Sequence, residues 1–264
     1  MELLDTIHQY ISPIYNQSSK NIISRMPLSE FNKLLNMYLN QNEKKISEYI
    51  MFEFNKIDNQ VILLHNYSTI SDENTYQVIY HDPKDITYIF QAISFLELYE
   101  LIIVNSNRYV FIPITFSYKD SKIGHATLCI IDKSNLSVRF FDSNGLTKGL
   151  IDSKIVDKFL ETYFDIFNIT FNEKYTYIKQ NDWINAMNTT NNQIYTLNKQ
   201  DLSNNEIQSG HCMIFTLIIA HLLSQEKYEL NKIIVELNKL PKQKLLDFVM
   251  GYTERAVENY NLIK

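Results

Sequence analysis

The sequence predicts an α+β protein in which helices and strands occupy separate blocks of the chain. Leu3, Ile7 and Ile11 recur at helical spacing, a pattern typical of an amphipathic helix. Between residues 109 and 141 the pattern changes to short runs of branched and aromatic residues separated by turn formers, which favours strands. Residues 210–223 are then almost continuously apolar and indicate a buried helix.

Composition limits the class of protein before any motif is considered. The chain has 264 residues, of which 45% are hydrophobic and 21% charged, as in one large globular domain or a core with an accessory segment. A net charge of -5 argues against a nucleic-acid partner, and two cysteines are too few for a disulfide scaffold. The longest apolar run, residues 213–223, is too short to cross a bilayer, so we predict no membrane insertion. Residues 1–5 include the acids Glu2 and Asp5 and lack the basic-then-apolar order of a signal peptide, so we expect the protein to work in the cytoplasm.

The elements are expected in the following order. The first sixty residues read as helical, followed by strand-like runs at residues 61–64 and 76–80 and a helix at 86–101. Further along we expect strands at 109–116, 126–131, 137–141 and 175–178, helices at 151–167, 210–223, 230–240 and 242–260, and a loop at 188–205. Pro113 suggests an edge strand or a bulge. Residues 1–100 are therefore predicted to form a mostly helical accessory region, and residues 101–264 the core.

Cys212 is a candidate nucleophile because it follows Ser209 and Gly210 at the predicted start of the apolar helix. The positive end of the helix dipole and the N–H groups of a first turn favour a thiolate over a thiol. A neighbouring imidazole would favour the thiolate further and would hold the proton for a leaving group. The alternative is a structural cysteine that packs as a small apolar side chain.

A histidine and an aspartate stand at the ends of two strands that are predicted to pair. His125 begins the strand at 126–131, Asp142 follows the strand at 137–141, and residues 132–135 form a turn-rich link. The start of one strand of a hairpin lies beside the end of the next, so His125 and Asp142 are expected to be neighbours, with the carboxylate holding one imidazole tautomer. The alternatives are structural: His125 would be a strand-end histidine with its hydrogen bonds satisfied, and Asp142 a turn residue. Asp142 can have the turn role and the orienting role together.

An oxyanion donor is expected just ahead of the nucleophile. Asn205 and Gln208 carry side-chain amides there, and we assign Gln208 because its amide reaches further. The backbone N–H of Cys212 would supply the second donor.

We expect neither a metal nor a cofactor. His211 and His221 are ten residues apart on one predicted helix, which disfavours a zinc site with Cys212, and no glycine-rich phosphate loop is present. Cys129 lies on the same strand face as His125, where packing in the core is expected rather than a redox pair with Cys212.

These residues together resemble the adenain and SUMO-protease superfamily of cysteine peptidases, and in particular the branch found in large DNA viruses and some intracellular bacteria. Residues 124–132 and 138–145 are similar to the histidine and aspartate strands of that superfamily, and residues 210–212, ahead of an apolar helix, to its nucleophile segment. The resemblance covers residues 108–224. The chain departs from the pattern at Ala126, where an aromatic often follows the histidine, and at Met213, where a glycine often follows the cysteine. The family's glutamine also usually lies further upstream than Gln208.

The resemblance implies an α+β papain-like core with a central mixed sheet and the nucleophile at the N-terminus of a buried helix. Cys212 would be the nucleophile, His125 the base and acid, and Asp142 the orienting carboxylate. The implied function is a cysteine peptidase or isopeptidase that cleaves a ubiquitin-like conjugate or a viral polyprotein, in the cytoplasm of a host or in a virion.

Two other functions remain open. An acyltransferase of the same superfamily would use the same triad, but it needs an acyl-CoA pocket, and we find no basic cluster positioned for the phosphates. A catalytically inactive module would keep the fold and bind a ubiquitin-like partner, a reading that the intact Cys, His and Asp set disfavours.

Overall fold

The structure is a computed structural model, and it describes residues 3–8, 26, 30, 34, 52–58, 75–81, 86–104, 106–118, 124–144, 153–187 and 211–263. In these ranges the strands are β1 (Phe52–Asp58), β2 (Thr75–His81), β3 (Ile86–Ile93), β4 (Tyr109–Tyr118), β5 (Gly124–Asp132), β6 (Ser137–Phe141) and β7 (Thr176–Ile178). The helices are α1 (Leu3–His8), α2 (Phe95–Val104), α3 (Ser153–Phe171), α4 (Gln180–Met187), α5 (Cys212–Ser224), α6 (Leu230–Lys239) and α7 (Lys242–Ile263). The fold is α+β, as the sequence predicts.

The described strands form one mixed sheet in the order β2-β3-β1-β4-β5-β6-β7. β1 runs parallel to β4 and β6 runs parallel to β7, whereas the other neighbours are antiparallel. The ladder between β4 and β5 extends from Tyr109 opposite Asp132 to Ser117 opposite Gly124. All side chains of β5 from His125 onward are buried, so this strand is covered on both of its faces.

The chain is organised as two compact units. One unit contains the sheet with α2 and α3, and the other contains α1, α5, α6, α7 and residues 142–144. In the first unit, the Tyr163 hydroxyl of α3 donates to the carbonyl of Ile93 at 2.9 Å, and Tyr99 of α2 stacks on Phe171 with 4.3 Å between ring centroids. Aromatic residues at helical spacing therefore give α3 the apolar stripe that anchors it.

The second unit is built around α5, which is apolar on nearly all sides. Its buried residues are Cys212, Ile214, Phe215, Thr216, Leu217, Ile218, Ile219, Ala220, Leu222 and Leu223. A helix of this kind is stable only when it is surrounded. α6 and α7 both pack against α5, and α1 contacts α6.

The predicted single helix at residues 86–101 is wrong. Ile86–Ile93 forms β3, and helix begins only at Phe95. The run is rich in branched and aromatic residues, which suit either a short buried helix or a strand, and pairing with β1 on one side and β2 on the other favours the strand. The helical reading of the first sixty residues likewise fails at Phe52–Asp58, which is β1.

The predicted elements after residue 105 agree with the structure to within a few residues. β4, β5, β6 and β7 confirm the four predicted strands, and α3, α5, α6 and α7 confirm four predicted helices. β2 confirms the strand predicted at 76–80, whereas β1 and β3 lie in residues that were predicted to be helical. These three early strands share one sheet with the later four. The domain boundary near residue 100 stays a prediction, and the predicted strand at 61–64 and loop at 188–205 lie outside the described residues.

Pro113 lies in an interior strand, not in an edge strand. β4 has β1 on one side and β5 on the other. Pro113 pairs with Leu128 of β5, and among the described residues the β1–β4 ladder includes the pair of Phe52 and Ile114.

Candidate functional site

Cys212 is the first residue of α5 and is 8% exposed. The N–H of Phe215 donates to the carbonyl of His211 at 2.9 Å, so the N–H groups of residues 212–214 precede the hydrogen-bond ladder of the helix. The hydroxyl of Thr216 donates to the Cys212 carbonyl at 3.0 Å within the first turn. The predicted placement of Cys212 at the start of a buried helix is confirmed, and the thiol lies in the positive field of that terminus.

His125 is the second residue of β5, and its imidazole lies against an aromatic ring. Phe116 of β4 is its partner across the ladder, and the two rings stack with 6.0 Å between centroids and 24° between planes. Phe116 in turn meets Phe140 of β6 edge-on, with 6.3 Å between centroids and 81° between planes. His125 is 7% exposed, so the ring is almost wholly withdrawn from bulk water.

Asp142 directly follows β6 and is 9% exposed. Its Oδ1 accepts the N–H of Asn144 at 2.8 Å, which forms an Asx turn. The turn role that the sequence suggests for Asp142 is therefore confirmed. A carboxylate has a second oxygen and further lone pairs, so the turn bond is compatible with an additional partner.

The predicted site residues fall into different parts of the fold. His125 belongs to the unit that contains the sheet, whereas Cys212 and Asp142 belong to the unit that contains α5. Gln208 and Asn205, the two candidates for the oxyanion donor, lie outside the described residues. The triad and the oxyanion assignment both stay predictions.

Cys129, the other cysteine, is sealed in the sheet. It is fully buried in β5, and burial raises the pKa of its thiol far above the ordinary value. A thiol in that state is neither nucleophilic nor readily oxidised. Neither cysteine is in a disulfide, and Cys129 has the environment of a packing residue, as the sequence suggests.

A charged cluster that the sequence pattern did not indicate lies at the other end of β5. Arg108 donates from Nε to Oδ1 of Asp132 at 3.0 Å and from Nη2 to Oδ2 at 2.6 Å. Ser134 and Asn135 add their own hydrogen bonds to the same carboxylate. Burial alone would raise the pKa of Asp132, but the bonds and charge of Arg108, together with Ser134, outweigh it and hold the pKa below its usual value. This cluster closes the β5–β6 turn.

A second buried carboxylate, Asp157 of α3, ties β7 to the start of α4. Tyr177 donates its hydroxyl to Oδ1 of Asp157 at 2.7 Å, and the N–H of Gln180 donates to the same oxygen at 3.2 Å. Burial, and then the charge of Asp157, raise the pKa of Tyr177 well above its usual value, so the phenol remains a donor. The sequence gives no signal for this contact, since its three residues come from separate elements.

Within the described ranges, no group of three or more His, Cys, Asp and Glu side chains could hold a metal ion. His221, one of the residues considered for zinc, has its Nδ1 2.7 Å from the hydroxyl of Tyr252. No helix in the described part of the chain is long and apolar enough to span a membrane. Comparison with protein-family models, curated proteins and solved structures finds no match to this chain.

Proposed function

We propose that the protein is a cysteine peptidase or isopeptidase with Cys212 as its nucleophile. The observation that carries the proposal is the contrast between the two cysteines. Cys212 begins a buried helix, where the helix dipole favours a thiolate, whereas Cys129 is sealed in the sheet and burial raises the pKa of its thiol. Of the two cysteines, the position of Cys212 at a helix start therefore favours it as the nucleophile.

His125 is proposed as the base and acid, with Asp142 as the carboxylate that orients it. The last described pair of the β5–β6 ladder is Leu128 with Phe141, so the chain leaves β6 at the end of the hairpin where β5 begins. In a hairpin the start of one strand lies beside the end of its partner, and this general property supports the assignment of the two residues.

In the proposed reaction the thiolate of Cys212 attacks the carbonyl carbon of a peptide or isopeptide bond. The oxyanion that forms is stabilised by the backbone N–H of Cys212 and by a side-chain amide, for which Gln208 is the candidate. The C–N bond then breaks, the imidazolium of His125 gives its proton to the leaving amine, and a thioester remains. Water, deprotonated by His125, hydrolyses the thioester to a carboxylic acid and restores the thiol.

The proposal includes a papain-like arrangement of the core. The mixed sheet and the buried helix that begins with Cys212 are both compatible with it. The proposed substrate is a ubiquitin-like conjugate or a viral polyprotein, met in a host cytoplasm or a virion, and this part rests on the sequence resemblance alone.

The proposal is tested with ubiquitin-like proteins that carry a C-terminal electrophile, with the adduct located by mass spectrometry. We expect one adduct at Cys212 in the wild type and in Cys129→Ala, and none in Cys212→Ser or His125→Ala. Because Cys129 is the chain's other thiol, Cys129→Ala is the matched control for specificity. Tight binding of the same proteins without any adduct would instead indicate an inactive binding module. Transfer of an acyl group from acyl-CoA to a partner would indicate an acyltransferase.

A further inference from the structure

His125, the proposed base, stacks on the phenyl ring of Phe116. Phe116 is 3% exposed, and its ring lies with 6.0 Å between centroids and 24° between planes from the imidazole. The edge-on contact with Phe140 holds the phenyl ring from another strand. The surface that His125 rests on is therefore itself fixed by packing.

Two physical consequences follow for the imidazole. A flat ring that stacks on a fixed aromatic ring loses this stacking when it rotates about its χ2 torsion, so the contact favours one plane. The face of a phenyl ring is also electronegative, and it attracts a cation that lies over it. Since His125 is 7% exposed, water contributes little to the stabilisation of an imidazolium there, and the phenyl face offsets part of that loss.

We infer that Phe116 is a positioning residue for His125: it holds the plane of the imidazole and favours the imidazolium that the proposed reaction requires. The inference rests on the proposed function, because it assigns a role in the same site. Phe116 acts through His125 and is not itself a catalytic residue.

The role requires an aromatic face and not only an apolar side chain of similar size. Leu or Met at position 116 would fill much of the volume but present no π face to the imidazole. Phe111 provides a matched control, since it lies on the same strand, is 4% exposed, and points to the opposite face by strand alternation. Phe111→Leu should therefore remove a similar amount of packing from the core without affecting the ring of His125.

The test measures the rate constant for alkylation of Cys212 by iodoacetamide at neutral pH, in a Cys129→Ala background so that Cys212 is the only thiol. We expect Phe116→Leu and Phe116→Met to slow alkylation by about 3- to 30-fold, the range of a desolvated cation–π contact. Phe116→Tyr, which keeps the ring, and Phe111→Leu should each stay within about twofold of the parent. Equal slowing in Phe116→Leu and Phe111→Leu, or slowing in Phe116→Tyr to the level of Phe116→Leu, would overturn the inference.

Two further measurements separate this inference from the proposed function. If His125→Ala leaves the alkylation rate unchanged, the proposed catalytic pair is wrong and the inference fails with it. If His125→Ala slows alkylation and Phe116→Leu does not, only the inference fails.

The ring-current shift of the His125 imidazole protons in an NMR spectrum requires no reactive thiol. Its loss in Phe116→Leu and retention in Phe116→Tyr support the positioning contact, whereas an unchanged shift in Phe116→Leu contradicts it.

Discussion

The Nδ1 atom of His221 lies 2.7 Å from the hydroxyl of Tyr252, a contact that joins the last turn of α5 to α7. Burial lowers the pKa of His221 from 6.5 to about 4. The imidazole is therefore neutral at physiological pH, and the helix that begins with Cys212 is held at its other end by a contact between neutral groups.

Acidification is expected to destabilise the protein through His221. The pKa of His221 is lower in the folded state than in the unfolded state, so the unfolded chain takes up the proton first. The contribution of neutral His221 to stability is complete above pH 6.5 and is lost as the pH falls through about 4. Between pH 7.5 and 5 this should remove about 2 kcal/mol from the free energy of unfolding. Denaturant titrations at the two pH values measure this loss of unfolding free energy. The loss should be smaller by about 2 kcal/mol in His221→Asn than in the wild type. Equal losses in the two proteins would show that His221 is not the group responsible.

The Arg108–Asp132 pair is expected to contribute more to stability than an exposed pair elsewhere in the same unit. Arg108 and Asp132 have side-chain exposures of 21% and 10% and form two parallel hydrogen bonds, whereas Lys179 and Glu161 are 47% and 43% exposed. Asp132→Asn should lower the free energy of unfolding by about 1–3 kcal/mol, and Glu161→Gln by less than about 0.5 kcal/mol. Denaturant titrations at neutral pH compare the two, and similar losses in both would show that the buried cluster adds nothing.

The carboxylate of Asp142 is expected to have two roles that substitutions can separate. Asp142→Asn keeps an oxygen that can accept the N–H of Asn144, and Asp142→Ala removes it. The alanine variant should therefore lose about 1 kcal/mol of stability, whereas the asparagine variant should stay close to the wild type. Under the proposed function, both variants should label more slowly at Cys212, because both lack the charge that orients His125. If Asp142→Asn labels at Cys212 as fast as the wild type, Asp142 has only the turn role.

Leu136 is held in a conformation that suits glycine better than leucine. It lies in the turn between β5 and β6 with a φ of 48°, it is 39% exposed, and its carbonyl accepts the N–H of Thr176 at 2.8 Å. A Cβ atom in this left-handed region costs about 1 kcal/mol or more. Leu136→Gly should therefore raise the free energy of unfolding by about 0.5–1 kcal/mol, allowing for the added entropy of the unfolded chain. Leu136→Ala keeps the Cβ and serves as the control, and an equal gain in both variants would point to the side chain instead.

The parts of the fold that could be predicted are those with a strong local pattern. The branched and aromatic run of β5, the turn-forming residues after Asp132 and the apolar run of α5 each leave one reasonable assignment. Residues 86–93 could not be assigned in this way, because a short run of large apolar residues suits both a buried helix and a strand. Hydrogen bonding to β1 and β2, which lie elsewhere in the chain, decides in favour of the strand.

The residues of the candidate site differ in the same way: some follow from a local pattern and others depend on distant parts of the chain. Cys212, His125 and Asp142 could be selected from the sequence because each has a reactive side chain at the end of an element with a clear pattern. Phe116 could not be selected, since its contact with His125 depends on the register between β4 and β5. A shift of that register by one residue would turn the phenyl ring to the opposite face of the sheet.

By itself, the sequence determined most of the later strands and helices of this protein to within a few residues, although not α4, and which residues at their ends have reactive side chains. It could do so because helical and strand periods, turn formers and chemical groups are properties of neighbouring residues. Only the tertiary structure decided that residues 86–93 form a strand and that an aromatic ring lies against His125. Strand register and burial join residues that are distant in the chain, and no local pattern specifies them.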